Sequence, residues 1–147
     1  MILEEQQKHQ TRVRVRYAET DQMGVVYYAN YLIWMELGRV ELFRSRGFNY
    51  KDIEETEGLF LAVIESNCRY LRPARYDQEI VVETEVSNSN PRVVEFTYNM
   101  IAAETGTLLA TGLTRHMWLS RDWRPARLPE KYLSVIERGS KLPGVSP

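Results

Sequence analysis

The first regular pattern in the chain is an alternation of hydrophobic and polar residues over residues 11–17. Val13, Val15 and Tyr17 alternate there with three arginines. A period of two is typical of a β-strand that buries one face. We therefore predict a first strand over residues 11–17, preceded by ten residues that we expect to be flexible.

From residue 31 to residue 46 the spacing changes to that of a helix. Hydrophobic residues recur three and four positions apart at Ile33, Leu37 and Val40, and neighbouring apolar residues widen the stripe. Such breadth predicts a helix that other structure covers over much of its surface. Asn30 lies where an N-cap is expected, and Gly47 lies where a glycine would end the helix.

Four more strand patterns follow a charged stretch at residues 49–58, which is typical of a loop or a short helical turn. The strands are expected at residues 59–71, 80–86, 94–100 and 108–119, with turns at residues 87–92 and 104–107. Consecutive strands joined by short turns form an antiparallel sheet that one helix can cover. The prediction is a single α+β domain over residues 1–147. Residues 120–147 would form a C-terminal extension with a short helix after Pro129.

The composition of the chain argues against several classes of protein. The chain has 147 residues, a net charge of −1 and 27% charged residues, which is ordinary for a globular domain and argues against bulk nucleic-acid binding. No apolar run approaches the roughly 20 residues of a membrane span, and the N-terminus lacks the apolar core of a signal peptide. We expect a cytoplasmic protein without a membrane partner. The single cysteine, Cys68, and two separated histidines, His9 and His116, favour neither a disulfide nor a metal site.

Asp21 is the candidate for chemistry, in the connector between the first strand and the helix. An Asp-x-x-Gly sequence is also an ordinary turn, and that reading stays open. However, the residues that follow, GVVYYANY, are too apolar for an exposed loop. They favour a carboxylate in a pocket lined by Val25, Val26 and aromatic rings, where burial would raise its pKa and nearby amides would lower it.

Tyr28 is the second candidate, and its ring is as readily explained by packing as by chemistry. Its backbone N–H is different, because unpaired amides near a helix start carry partial positive charge. Such an amide can receive the oxyanion that develops when a carbonyl is attacked.

These residues carry a family resemblance. The segment YAETDQMGVVYYANYLIWMELGRVELFRSRG (residues 17–47) resembles the signature of the hotdog-fold 4-hydroxybenzoyl-CoA thioesterase family, which includes the YbgC-type acyl-CoA thioesterases. RYLRPARYDQEIVVETEV (residues 69–86) resembles the strand–turn–strand that follows the family's helix. The resemblance implies a five-stranded antiparallel sheet wrapped around one long helix. It also implies that Asp21 is the catalytic carboxylate and that the Tyr28 amide binds the thioester carbonyl. Many YbgC-type members have His in place of Tyr28, so no imidazole is expected beside the aspartate.

The activity that the resemblance implies is hydrolysis of an acyl-CoA or acyl-carrier-protein thioester to a free acid. Asp21 would attack the acyl carbon or activate water, and the sequence does not choose between these roles. Because a thiol with a reference pKa near ~8.5 leaves easily, we expect no metal and no cofactor other than coenzyme A as part of the substrate. The family assembles with active sites between subunits, so a homodimer, and from it a homotetramer, is expected.

Further substrate contacts are expected from the connector and from two later groups. In the connector they are Gly24, Val25, Val26, Tyr27 and Asn30. Glu65 would order water near the carbonyl, pair with an arginine or face solvent. The phosphates of coenzyme A would meet one of two basic groups, unless these are simply solvated or lie between subunits. The first is Arg69, Arg72 and Arg75, and the second is Arg121, Arg124, Arg127 and Lys131.

Two other functions compete with hydrolysis. A hotdog hydratase or dehydratase would need a histidine beside a carboxylate, and His116 is isolated in sequence and more typical of a structural residue. A non-catalytic acyl-thioester-binding protein would not need Asp21 and should tolerate Asp21→Ala.

Overall fold

The protein is a five-stranded antiparallel sheet with one long helix packed on it, seen in a computed structural model that describes residues 8–47 and 50–138. In chain order the elements are β1 (Lys8–Arg14), α1 (Asn30–Ser45), α2 (Tyr50–Glu57), β2 (Phe60–Tyr70), β3 (Glu79–Ser89), β4 (Val93–Ala102), β5 (Leu108–Leu119) and α3 (Glu130–Arg138). The α+β prediction is confirmed. Within the described residues no helix has the length and apolar character to cross a membrane.

The strand order is β1-β3-β4-β5-β2. The expectation that short turns join all four later strands in sequence was therefore wrong for β2. The hairpins β3–β4 and β4–β5 are present, but β2 pairs with β5 and lies at the sheet edge opposite β1. Residues 71–78 do not form a hairpin because they bond to the connector before α1. The amide of Val26 donates to the carbonyl of Ala74 at 2.8 Å, and Val25 forms a β-bridge with Arg75. This crossover leaves β2 with one unpaired edge.

The first strand lies earlier than predicted. Residues 8–10 pair with residues 85–83 of β3, so the expected flexible segment does not include them, and residues 1–7 lie outside the described residues. The strand ends at Arg14, and Tyr17 begins a 3₁₀ turn with its side chain exposed. The buried carboxylate of Glu19 fixes this turn, since it accepts hydrogen bonds from the Arg16 amide at 2.8 Å and from Trp34 Nε1 at 3.0 Å.

Both predicted ends of the central helix can be checked. The N-cap assignment was wrong: Ala29 is the N-cap, and the Asn30 side chain instead donates to the Glu19 carbonyl at 2.9 Å. The helix-ending glycine is confirmed, because Gly47 has a φ of +95° and donates to the Arg44 carbonyl at 3.0 Å.

The faces of α1 also differ from the prediction. The residues that face the sheet are Tyr31, Trp34, Met35, Gly38, Leu42 and Phe43. Ile33 and Leu37, which belonged to the predicted buried stripe, are 48% and 42% exposed. The helix therefore has two apolar faces, and a single chain covers only one of them.

The helix approaches the sheet most closely at Gly38. A Cβ at this position would lie 2.3 Å from Thr84 Oγ1 and 3.0 Å from Val82 Cγ1, both on β3. Thr84 is fully buried, and its hydroxyl has no hydrogen-bond partner. Gly38 thus sets the distance between α1 and the sheet, and with it the position of the helix start.

The C-terminal helix α3 begins directly after Pro129, as predicted. Its apolar residues Tyr132, Leu133, Val135 and Ile136 are buried. The buried guanidinium of Arg46, just past the end of α1, donates to the Ile136 carbonyl at 2.8 Å. This bond ties α3 to the end of α1 that is opposite the connector.

Candidate active site

A cavity of about 320 Å³ opens at the start of α1, where the connector and the crossover meet. Its walls are mostly apolar or aromatic, with one carboxylate and one guanidinium. The lining residues are Asp21, Met23, Val25, Val26, Tyr28, Tyr31, Tyr70, Leu71, Arg72 and Pro73. Both candidates for chemistry, Asp21 and Tyr28, therefore lie on one cavity.

Asp21 forms a turn, as the structural reading predicts, and it also lines the cavity. Its Oδ1 accepts the Met23 amide at 2.9 Å, and its backbone bonds to Gly24 and Val25 close the turn. Gly24 has a φ of +79°, a left-handed conformation that costs glycine little. The second oxygen, Oδ2, accepts no hydrogen bond from residues 8–47 or 50–138. One side of the carboxylate is therefore held, and the other is available to a ligand.

Tyr28 lies just before the first turn of α1 with its amide unused. Asn30 N donates to the Tyr27 carbonyl at 2.9 Å, which orients the peptide between Tyr27 and Tyr28. The Tyr28 carbonyl accepts Tyr70 Oη at 3.0 Å and Tyr31 N at 3.4 Å. In the described part of the chain no acceptor takes the Tyr28 N–H. A free amide at a helix start can bind a developing oxyanion.

Three tyrosines shape the inner wall. The Tyr70 ring packs edge-on against Tyr31 at 5.0 Å and against Tyr28 at 6.4 Å between centroids. The Tyr31 hydroxyl accepts the Ala74 amide at 3.4 Å, which joins the wall to the crossover. Burial raises the pKa of both Tyr31 and Tyr70, so both hydroxyls stay protonated near neutral pH. They act as neutral hydrogen-bonding groups.

Of the five other connector residues predicted to contact the substrate, two line the cavity and three do not. Val25 and Val26 line the cavity as expected, whereas Gly24, Tyr27 and Asn30 are not part of its lining. Gly24 belongs to the turn, and Asn30 is bonded to Glu19. The Tyr27 ring is 46% exposed and packs on the Tyr28 ring at 4.7 Å.

Glu65 does not line this cavity in the single chain. Its carboxylate pairs with Arg115 at 3.2 Å, and Arg115 also pairs with Glu95 at 2.6 Å. Arg115 lowers the pKa of Glu95, chiefly through this hydrogen bond. The geometry thus matches the ion-pair alternative for Glu65.

The two basic groups are separated. Of the first, Arg72 lines the cavity, while Arg69 and Arg75 are exposed and lie outside its lining. In the second group Arg121 donates to the Glu54 carbonyl at 3.3 Å, and Lys131 lies over the Tyr132 ring at 4.9 Å. Only the first group reaches the cavity.

Five residues of the cavity lining were not predicted for the site: Met23, Tyr31, Tyr70, Leu71 and Pro73. The positions of Tyr70 to Pro73 depend on the crossover, which alternation of hydrophobic residues does not reveal. The segment RYLRPARY contained the available signal, because a proline directly after a long strand indicates that the chain turns away there. Among the described residues no group of His, Cys, Asp and Glu could hold a metal ion.

Comparison with known proteins agrees with this architecture. A sequence model of the thioesterase-like superfamily matches residues 15–136. The chain belongs to the thioesterase-like superfamily. It is 38% identical over 110 residues to the putative acyl-CoA thioesterase YneP of Bacillus subtilis, covering 75% of this chain and 78% of that protein. It is 34% identical over 97 residues to the acyl-CoA thioester hydrolase YbgC of Escherichia coli, covering 66% and 71%.

A solved structure supports the same assignment. The DHNA-CoA thioesterase from Staphylococcus aureus superposes with a TM-score of 0.79 at 33% identity, covering 82% of this chain and 80% of that one. The hotdog fold and the family resemblance expected from the sequence are confirmed.

Proposed function

We propose that this protein hydrolyses acyl-CoA thioesters to a carboxylic acid and coenzyme A, with Asp21 as the catalytic carboxylate and the Tyr28 amide as the oxyanion donor. The supporting observation is that two groups with no partner among the described residues line one apolar cavity: the second carboxylate oxygen of Asp21 and the helix-start amide of Tyr28. Membership of the thioesterase-like superfamily agrees with this activity.

The proposed reaction begins with the thioester carbonyl oxygen on the Tyr28 N–H. Either Asp21 Oδ2 attacks the acyl carbon, or Asp21 takes a proton from a water that attacks it. The negative charge that develops on the carbonyl oxygen is stabilised by the amide and by the partial positive charge of the helix start. Collapse breaks the C–S bond and releases the thiolate of coenzyme A. On the nucleophilic route water then opens the mixed anhydride, which restores the Asp21 carboxylate and gives the acid.

Arg72 is our candidate for binding the substrate outside the acyl pocket. It is the basic residue of the cavity lining, and the exposed Arg69 and Arg75 lie close to it in sequence. Guanidinium groups bind phosphate oxygens in bidentate fashion. We propose that this group contacts the phosphates of coenzyme A.

We also propose a homodimer, from which a homotetramer would be assembled. The uncovered face of α1 exposes Leu32, Ile33 and Leu37, and β2 beside it exposes Val63 and Ile64 and has an unpaired edge. A long apolar edge strand needs a partner. Sedimentation velocity should show a dimer or larger species for the natural chain and a smaller species for Ile64→Lys. A monomeric natural chain would contradict this part of the proposal.

One assay tests the catalytic proposal. Short, long and aromatic acyl-CoAs are offered to the purified protein, and release of free thiol is followed with a colorimetric reagent. Asp21→Asn should lower kcat by about 10²–10⁴-fold, the typical contribution of a catalytic acid or base. Asp77→Asn is the matched control, because Asp77 is an exposed turn residue with a φ of +67° outside the cavity lining.

Three outcomes would overturn the proposal in different ways. Release from no thioester would favour the non-catalytic binder. Natural turnover in a folded Asp21→Asn protein would exclude Asp21 as the catalytic carboxylate. Equal losses in Asp21→Asn and Asp77→Asn would indicate a general effect on folding.

A further inference from the structure

Two more cavities lie further along α1 than the active-site cavity, in the cleft between α1 and β2. The second has about 240 Å³ and is lined by Leu32, Ile33, Glu36, Arg39, Val63, Ser66 and Thr114. The third, which we call the distal chamber, has about 170 Å³ and is lined by Glu36, Arg39, Tyr50, Glu54, Leu61 and His116. Glu36 and Arg39 belong to both. At a rise of 1.5 Å per residue, the helix from Tyr28 to Arg39 spans roughly 16 Å. The cleft is therefore apolar in its middle and polar at its far end.

The distal chamber contains buried polar atoms without partners. His116 is only 1% exposed, and its Nδ1 has no hydrogen-bond partner within residues 8–47 and 50–138. The Tyr50 hydroxyl is also buried without a partner of good geometry, although the Arg39 guanidinium lies beside it. Buried polar groups are normally satisfied, and an unmade bond costs free energy. Both atoms therefore indicate a site for a hydrogen-bonding ligand.

The surrounding hydrogen bonds assign the proton on His116. Arg39 can only donate, and it lies against the hydroxyl of Tyr98, so the Tyr98 oxygen accepts. We infer from this order that Tyr98 donates to Thr114 Oγ1, 2.6 Å away, and that Thr114 donates to His116 Nε2, 2.8 Å away. His116 is neutral near pH 7, because burial and then the charge of Arg39 lower its pKa to about 3. A neutral imidazole that accepts at Nε2 carries its proton on Nδ1.

We propose that the distal chamber binds a neutral oxygen, a hydroxyl or keto group, at the far end of the acyl chain of the substrate. Three groups of the chamber lining can donate a hydrogen bond: His116 Nδ1–H, the Tyr50 hydroxyl and the Arg39 guanidinium. A plain alkyl end would leave them unpaired. A terminal carboxylate would meet the charges of Glu36 and Glu54, whereas a hydroxyl can accept from the donors and donate to either glutamate. The inference rests on the proposed thioesterase function, since it places the acyl chain in this cleft.

The test compares three thioesters that differ only at the far end: dodecanoyl-CoA, 12-hydroxydodecanoyl-CoA and the mono-CoA ester of dodecanedioic acid. The natural protein should prefer the hydroxylated chain over the plain one by about tenfold in kcat/KM, the usual effect of one satisfied buried hydrogen bond. The diacid ester should be the poorest of the three. Tyr50→Phe removes one donor that has no bond to lose, so it should fold normally. It should reduce the preference for the hydroxylated chain severalfold.

Tyr76→Phe is the control, because Tyr76 is 58% exposed and lines none of the three cavities. Titration calorimetry of the same ligands with Asp21→Asn protein gives a readout that needs no turnover. If no thioester is hydrolysed but the hydroxylated chain binds about tenfold tighter, the chamber is supported and the proposed activity fails. Equal affinity for plain and hydroxylated chains, tightest binding of the diacid ester, or an unchanged preference in Tyr50→Phe would each overturn the chamber assignment.

Discussion

Replacing Gly38 by alanine tests how α1 is held on the sheet. The added Cβ would lie 2.3 Å from Thr84 Oγ1, closer than real Cβ contacts come, and 3.0 Å from Val82 Cγ1, which is tighter than most of them. Thr84 is a fully buried, β-branched residue in the middle of β3, so its side chain has little freedom to turn away. The helix must therefore move outward, or the threonine must leave its rotamer.

The magnitude follows from two opposed terms. Overpacking costs up to about 3 kcal/mol, and the 2.3 Å contact places this site in the upper part of that range, at about 2–3 kcal/mol, whereas alanine in place of glycine inside a helix gains about 1 kcal/mol. We expect Gly38→Ala to lower the free energy of unfolding by about 1–2 kcal/mol. For a chain of this size that corresponds to a melting temperature lower by about 2–8 °C.

A double-mutant cycle with Thr84→Ala isolates the cause. The second substitution removes the hydroxyl that the new Cβ meets, so in that background the helix-propensity gain of Gly38→Ala should dominate and its effect should change sign. The expected coupling energy is about 2 kcal/mol. Urea unfolding followed by circular dichroism gives the four free energies, at one protein concentration because assembly contributes to stability. A neutral or stabilising Gly38→Ala, or additive effects in the double variant, would refute the close-contact explanation.

Three further predictions concern single side chains. Tyr70→Phe should lower kcat severalfold with little change in KM or melting temperature, because only the hydroxyl that holds the Tyr28 carbonyl is lost. Steady-state kinetics measures this effect, with Tyr76→Phe as the control. A change in KM alone would contradict the prediction. Gly112→Ala should destabilise less than Gly38→Ala in the same unfolding assay, because its Cβ would meet Met35 Cε at 2.1 Å, the movable end of a flexible side chain. Burial lowers the pKa of His116 to about 3 in the folded protein, compared with about 6.5 in the unfolded chain. The stability that depends on neutral His116 is therefore fully present above about pH 6.5. Below that pH the free energy of unfolding falls by up to about 1.4 kcal/mol per pH unit. His116→Gln should lack that portion of the slope between about pH 6 and about pH 4, and identical slopes would exclude the assignment.

The sequence predicts the elements of this fold better than their arrangement. Period-two alternation located β3, β4 and β5 to within a few residues, since each buries one face of a sheet. Alternation carries no information about which strand lies beside which, so the pairing of β2 with β5 was missed. That pairing depends on bonds between the crossover and the connector, which are distant in sequence.

The central helix shows a second limit of pattern reading. Its hydrophobic residues cover two faces, so their spacing could not identify the face that packs on the sheet. The deciding residue is Gly38, whose missing side chain permits the close approach and contributes nothing to a hydrophobic pattern. The residues of the candidate site likewise fall into those that the sequence identifies and those that only the folded structure identifies. Asp21 and Tyr28 could be found because they belong to one local signature. Tyr70 could not be found in this way, because it is distant from Tyr28 in sequence and contacts it only once β2 has taken its place in the sheet.

The helix α1 connects the proposed chemistry to the proposed specificity. Its start presents the Tyr28 amide to the active-site cavity, its middle contacts the sheet at Gly38, and Arg39 follows directly and lines the distal chamber. Because a helix moves nearly as a rigid rod, an outward shift at Gly38 must displace both ends of the cleft together. Gly38→Ala should therefore reduce kcat and also the preference for a hydroxylated acyl chain, whereas Tyr50→Phe should reduce the preference far more than kcat. If Gly38→Ala loses both kcat and the preference, and Tyr50→Phe loses mainly the preference, then both sites depend on the position of α1.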